Sequence, residues 1–204
     1  MFSVEVHNLS KRYGATRVLE NLSFSFEPGI TGIGGSNGSG KSTLLKCLAG
    51  LLNPTTGTIT WKNGTTPLAN DVFRSHLGYV APYINLYHEL SVRENMELIL
   101  KLRKKNYSPA QQKELWERLQ LAGLTDKPFG DLSTGQQQRA RLASTLSYHP
   151  SILFLDEPGA NLDKQGRATI RQILDNFRDE QKIVLLASNN PSELDLADQI
   201  FSVE

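Results

Sequence analysis

Apolar and polar residues alternate through "FSVEVHNL" (2–9) and "VLENLSFSF" (18–26), the period-two pattern of half-buried strands, and Pro28-Gly29 marks a turn after them. "ITGIGG" then reads as a short buried strand running into a glycine-rich loop, with "KSTLLKCLAGLL" as the helix that follows. "GTITWKNG" reads as a strand closed by an Asn-Gly turn, and "LGYV" as another short strand. From about residue 91 the period changes. "SVRENMELILKLRKK", "PAQQKELWERLQLAG" and "TGQQQRARLASTLS" place apolar residues three and four apart, as helices do. Strand "ILFLD", helix "KQGRATIRQILDNFRD", strand "IVLLAS", a short helix over 191–197 and a final strand "QIFSV" complete the chain. Short apolar strands alternating with helices imply a parallel sheet covered by helices. The expected fold is α/β: a mainly parallel core, an N-terminal antiparallel portion and an inserted helical subdomain. The expected division is a core of 1–84 and 149–204 around a helical block at 85–148.

Composition narrows this picture little. The chain has 204 residues, a size that suits one domain with an inserted subdomain. Its net charge of +1 argues against strong nonspecific attraction to nucleic acid or anionic lipid. The lone cysteine, Cys47, excludes an internal disulfide and fits a reducing compartment. "MFSVEVHNLS" lacks the basic region and apolar core of a signal peptide, and no apolar run reaches the roughly 18 residues that span a bilayer. A soluble cytoplasmic protein is expected, one that would reach a membrane through a partner.

The chemistry begins at "GSNGSGKS". Gly35 to Ser42 fits G-x-x-x-x-G-K-[ST] between an expected strand and an expected helix. Gly35, Gly38 and Gly40 let successive backbone N–H groups turn inward as an anion nest, with Ser36, Asn37 and Ser39 between them. Lys41 then reaches the β- and γ-phosphates of a nucleoside triphosphate, and the Ser42 hydroxyl ligates Mg²⁺. "SILFLDEP" puts Asp156 and Glu157 at the carboxyl end of an apolar strand. Alone, two acids there are a common solvated strand end. Beside a phosphate loop, Asp156 is placed to hold Mg²⁺ and Glu157 to polarise an attacking water.

"LSTGQQQRARLAS" (132–144) starts with a small polar cap and continues as a helix, offering N–H groups and a hydroxyl at a positive helix end. With this third motif in this order, the chain resembles the ATP-binding cassette of ABC proteins along essentially its whole length. "GSNGSGKST", which includes Thr43, looks like their Walker A motif, and "ILFLDEP" like Walker B followed by the catalytic glutamate. "LSTGQ" looks like the signature, with Thr134 where Gly is usual. "GANLD" looks like the D-loop, with Asp163 its acid, and Tyr13 matches the aromatic that stacks on adenine. The resemblance implies ATP and Mg²⁺ as cofactors and two cassettes paired head to tail. Ser133, Gly135 and Gln136 would then serve the partner cassette's nucleotide, and the closing and opening dimer would drive separate integral membrane permease subunits from the cytoplasmic face. The partner cassette would be a second copy or a homologue, and no nucleic acid is expected.

Two positions depart from the family pattern. Pro82 in "LGYVAPYINLYHEL" stands where the Q-loop keeps its glutamine, with Tyr83 and Asn85 nearby. Asn189 in "VLLASNNPSEL" stands where the switch histidine is usual, so a neutral amide donor replaces a titratable one. With Glu157 retained, the expectation is slow ATP hydrolysis. His7, His76, His88 and His149 read as structural or exposed. "KLRKK" (101–105) is either a solvated helix end or a contact for phospholipid headgroups. Tyr79, Tyr83 and Tyr87 form either a structural cluster or part of a docking surface. Two other functions stay open: a nucleotide-gated scaffold with weak hydrolysis, and a non-transport ABC ATPase acting on nucleic acid. Compact cassettes of this length also resemble those of small exporters.

Overall fold

The computed structural model describes residues 1–203, and two compact units divide it. The first comprises 1–79, 151–157 and the described residues from 174 onward; the second comprises 80–150 and 158–173. Among the described residues, no helix is long and apolar enough to cross a membrane.

In the first unit, β1 (Phe2–Tyr13) pairs antiparallel with β2 (Thr16–Phe26) and with β4 (Thr56–Asn63), which pairs in turn with the two-residue β5 (Thr66–Pro67). The last hairpin turns through Gly64 and Thr65, not through a central Asn-Gly pair: Asn63 still pairs with Thr66 as the last residue of β4, and Gly64 takes the positive φ (60°) at the first turn position. A second sheet holds β3 (Gly29–Gly34), β6 (Leu77–Val80), β7 (Ile152–Asp156), β8 (Ile183–Ala187) and β9 (Gln199–Ser202) in the order β6-β7-β8-β3-β9. The β7-β8, β8-β3 and β3-β9 pairs are parallel. All five residues of β7 and of β8 are buried, which matches their unbroken apolar runs. The core between the sheets gathers Val4, Val6 and Leu9 of β1, Ile33, Phe154 and Leu185 of the parallel strands, and Leu44, Leu45 and Leu48 of α1 (Lys41–Leu48).

One helix that the sequence pattern did not indicate is anchored in this core by a single side chain. α2 (Asn70–His76) has one buried apolar residue, Phe73, too few for a detectable period. Phe73 stacks on Trp61 of β4 at 4.4 Å, and the indole N–H donates to the Leu48 carbonyl at the end of α1 (3.0 Å).

The second unit is helical: α3 (Val92–Leu102), α4 (Pro109–Arg118) and α5 (Thr134–Leu146). Each opens with a reciprocal capping box, Ser91 with Glu94, Ser108 with Gln111 and Ser133 with Gln136. α6 (Lys164–Asp179) starts in this unit's second segment, and its last six residues fall in the first unit. The helix expected over 191–197 is shorter, α7 (Pro191–Leu194).

Candidate nucleotide-binding site

β3 ends where the glycines begin, and the chain turns through 35–40 before α1 starts at Lys41. Gly35, Gly38 and Gly40 all have positive φ, at 146°, 84° and 108°. Gly35 is also crowded: a Cβ there would overlap Ser39 Oγ and lie 2.5 Å from the Val203 carbonyl oxygen. Gly38 faces open space. The Lys41 ammonium lies inside the curve, 94% buried, and donates to the carbonyls of Gly35 (2.8 Å) and Ser36 (3.0 Å). An ammonium carries three donors, so one remains for an anion held by the loop. Ser42 and Thr43 follow in the first turn of α1, half-buried.

The parallel register brings β7 and β8 to the same edge of the sheet, with Asp156 opposite Ala187. Asp156 is 1% exposed. Glu157 follows with φ 49°, a left-handed conformation that is strained for a residue with a side chain. Its backbone N–H donates to the Ala187 carbonyl (2.8 Å), which fixes the turn. One carboxylate oxygen accepts the Asn189 backbone N–H (3.1 Å), and the other accepts the Ser188 hydroxyl (3.3 Å). Burial raises the Glu157 pKa above its ordinary value, opposed by the Asn189 and Ser188 hydrogen bonds and by the Lys41 charge, with Glu193 adding a smaller raising effect. A raised carboxyl pKa suits a general base.

The Asn189 side chain reaches back to the phosphate loop, its amide donating to Asn37 Oδ1 (2.8 Å). Asn190 does different work: it caps α7, its side chain accepting from the Ser192 N–H (3.0 Å). Tyr13, at the end of β1, is 50% exposed with the Lys11 ammonium 5.2 Å from its ring centre. The first unit therefore carries Tyr13, the loop 35–43, Asp156, Glu157 and Asn189.

The remaining candidates belong to the second unit. Ser133 is the N-cap of α5, and the Gln136 side-chain oxygen accepts the Ser133 backbone N–H (3.0 Å). Thr134 occupies the first helical position, exposed, so the helix tolerates it in place of glycine. Gly135 is required by proximity: a Cβ would lie 2.9 Å from the Asn161 carbonyl oxygen. Asp163 accepts the Gly166 N–H (2.7 Å) just before α6. Pro82 is exposed, and Asn85 accepts from Arg141 (2.8 Å), which also reaches Gln138 (3.3 Å).

The histidines have packing neighbours: His76 meets Phe2, His88 meets Phe129 edge-on and His149 lies against Tyr107, while His7 is exposed near Glu5. In "KLRKK", Arg103 stacks on Tyr148 at 3.8 Å while Lys101, Lys104 and Lys105 are exposed. The tyrosines divide. Tyr79 packs edge-on against Phe154 in the first unit, whereas Tyr83 and Tyr87 are exposed in the second. Ser188 escaped the sequence reading because a buried serine at a strand end carries no motif.

The family model described as "ABC transporter" matches residues 19–160. A sulfate/thiosulfate import ATP-binding protein CysA of Synechococcus elongatus is 35% identical over 204 residues, covering 97% of this chain and 58% of the relative. The chain thus spans under two thirds of that relative's length. Among solved structures, a Pyrococcus furiosus protein described as a candidate ABC transporter (ATP-binding protein) superimposes with a TM-score of 0.83 at 26% identity, over 98% of this chain and 97% of that one. A structure described as the ATP binding subunit of an ABC transporter gives 0.85 at 23% identity, over 98% and 85%, a likeness of fold alone. A glycine-rich loop between β3 and α1, two acids at the carboxyl end of β7 and a family match across most of its length agree: the chain belongs to the ABC transporter family.

Proposed function

We propose that this chain binds and hydrolyses ATP as the nucleotide-binding subunit of a transporter whose membrane-spanning subunits are separate. The observation that carries the reading is the Glu157 carboxylate, held by two donors from the loop after β8, which is itself bonded to the phosphate loop through Asn37 and Asn189. The backbone amides of 35–43 and the free donor of Lys41 hold the phosphates. Tyr13 offers an exposed ring for the adenine. Glu157 takes a proton from a water aligned with the γ-phosphate. Asn189, its side chain beside the loop, supplies a neutral N–H where a charged group would titrate.

Mg²⁺ fits the donor set, a hydroxyl at Ser42 and a buried carboxylate at Asp156, because Mg²⁺ keeps waters and phosphate oxygens rather than filling a protein cage. When bound it neutralises charge on the β- and γ-phosphates. Two such chains, or this chain and a homologue, pair head to tail, with Ser133, Gly135 and Gln136 facing the partner's nucleotide. Asp163, the acid of the D-loop six residues after Glu157, belongs to the same nucleotide-binding set. The pair acts at the cytoplasmic face through permease subunits and engages no nucleic acid. Turnover is slow because Pro82 offers no amide and Asn189 no charge.

Glu157→Gln tests the reading. It keeps the shape and removes the base, so turnover falls at least about 100-fold while ATP binding persists. Phosphate release at the parental rate from that variant removes Glu157 from the mechanism.

A further inference from the structure

The residues between β8 and α7 form a connected set of hydrogen bonds that ends on Glu157. Ser188 is fully buried, and its backbone N–H donates to the Ile33 carbonyl (3.3 Å), tying it to β3 just ahead of the phosphate loop. Its hydroxyl oxygen accepts the Asn190 backbone N–H (3.0 Å). The hydroxyl has one proton, and an ionised carboxylate has none to give, so that proton points at Glu157 Oε2 (3.3 Å). The Asn190 side chain is meanwhile occupied as the cap of α7, accepting from the Ser192 N–H and hydroxyl. The Asn189 N–H holds the other oxygen, Oε1 (3.1 Å). Each carboxylate oxygen of Glu157 is thereby assigned one donor.

We infer that Ser188 is a positioning residue for ATP hydrolysis: its hydroxyl, oriented by the Asn190 N–H, sets the rotation of the Glu157 carboxylate. Two donors on two different oxygens define the plane of a carboxylate, whereas one donor leaves it free to swing about its last bond. The Asn37–Asn189 contact holds the same loop against the phosphate loop, so the carboxylate plane is referred to the bound phosphates. Glu157 itself sits on a strained backbone, which by itself does nothing to fix the far end of its side chain. Ser188 acts only through Glu157 and touches no substrate.

This inference rests on Glu157 being the general base, and the experiment separates the two. ATP turnover, ATP affinity and melting temperature are measured on the full chain for Ser188→Ala, Ser188→Thr and Glu157→Gln. Ser188→Ala lowers kcat about 10- to 100-fold, the range a misplaced catalytic group produces, while the dissociation constant for ATP stays within about twofold. Ser188→Thr retains the hydroxyl and recovers most of the rate. Parental turnover in Ser188→Ala, with Glu157→Gln inactive, overturns the positioning role alone. Equal losses of rate in the Ala and Thr variants, accompanied by equal losses of melting temperature, also overturn it, since that is the signature of a packing role. Activity in Glu157→Gln removes the base assignment and this inference with it.

Discussion

The three loop glycines look equivalent in sequence, yet the structure ranks them, and replacing Gly35 and Gly38 in turn tests that ranking. Alanine at either position must adopt a positive φ, 146° at Gly35 and 84° at Gly38. Backbone strain of this kind costs on the order of 1–3 kcal/mol. At Gly38 that is the whole penalty, because a Cβ meets nothing within 4 Å. At Gly35 the Cβ overlaps Ser39 Oγ and approaches the Val203 carbonyl oxygen to 2.5 Å. The serine can rotate. The carbonyl belongs to a residue whose N–H is bonded to Gly34 (2.9 Å), so it moves only if the end of the β3-β9 pairing moves with it. Forcing an extra carbon into such a place adds about 1–3 kcal/mol. The sum for Gly35→Ala is about 2–6 kcal/mol, against about 1–3 for Gly38→Ala. At roughly 2–4 °C per kcal/mol for a chain of this size, Gly35→Ala should melt about 4–24 °C below the parent and clearly below Gly38→Ala. Thermal unfolding followed by circular dichroism, paired with ATP titration, measures both variants. Equal melting temperatures for the two, or a lower one for Gly38→Ala, would show that the crowding at Gly35 does not exist in solution.

Trp61→Ala should cost about 3–5 kcal/mol, because it opens a cavity against Phe73 and leaves the Leu48 carbonyl without its indole donor; chemical denaturation reads this directly. Asn189→His should turn over ATP at or above the parental rate, since the backbone N–H that holds Glu157 remains and the new side chain can carry charge; a steady-state phosphate assay with loss of rate would sink this expectation.

How legible the molecule was depends on how local its determinants are. β7 and β8 are continuous apolar runs, α6 has a clear helical period, and the phosphate loop is a contiguous motif, so each could be read from neighbouring residues. α2 could not, because a seven-residue helix with Phe73 as its one buried apolar side chain is held by the stack of Phe73 on Trp61 of β4 and not marked by its own pattern. Asn189 was legible as a departure from a family motif, but its bond to Asn37 joins residues 152 positions apart.

By itself, then, the sequence determined the fold class, the phosphate loop, the two acids and the family, because each is encoded in residue types at short, fixed spacing. Only the tertiary structure decided that Gly35 and Gly40 are crowded as well as bent while Gly38 is not, why Gly135 must lie against Asn161, and how the "SNN" tripeptide divides its labour. Ser188 and the Asn189 N–H turn to Glu157, the Asn189 amide to Asn37, and Asn190 to α7. These assignments follow from the parallel register of β3, β7 and β8, which aligns three chain segments that share no sequence neighbourhood.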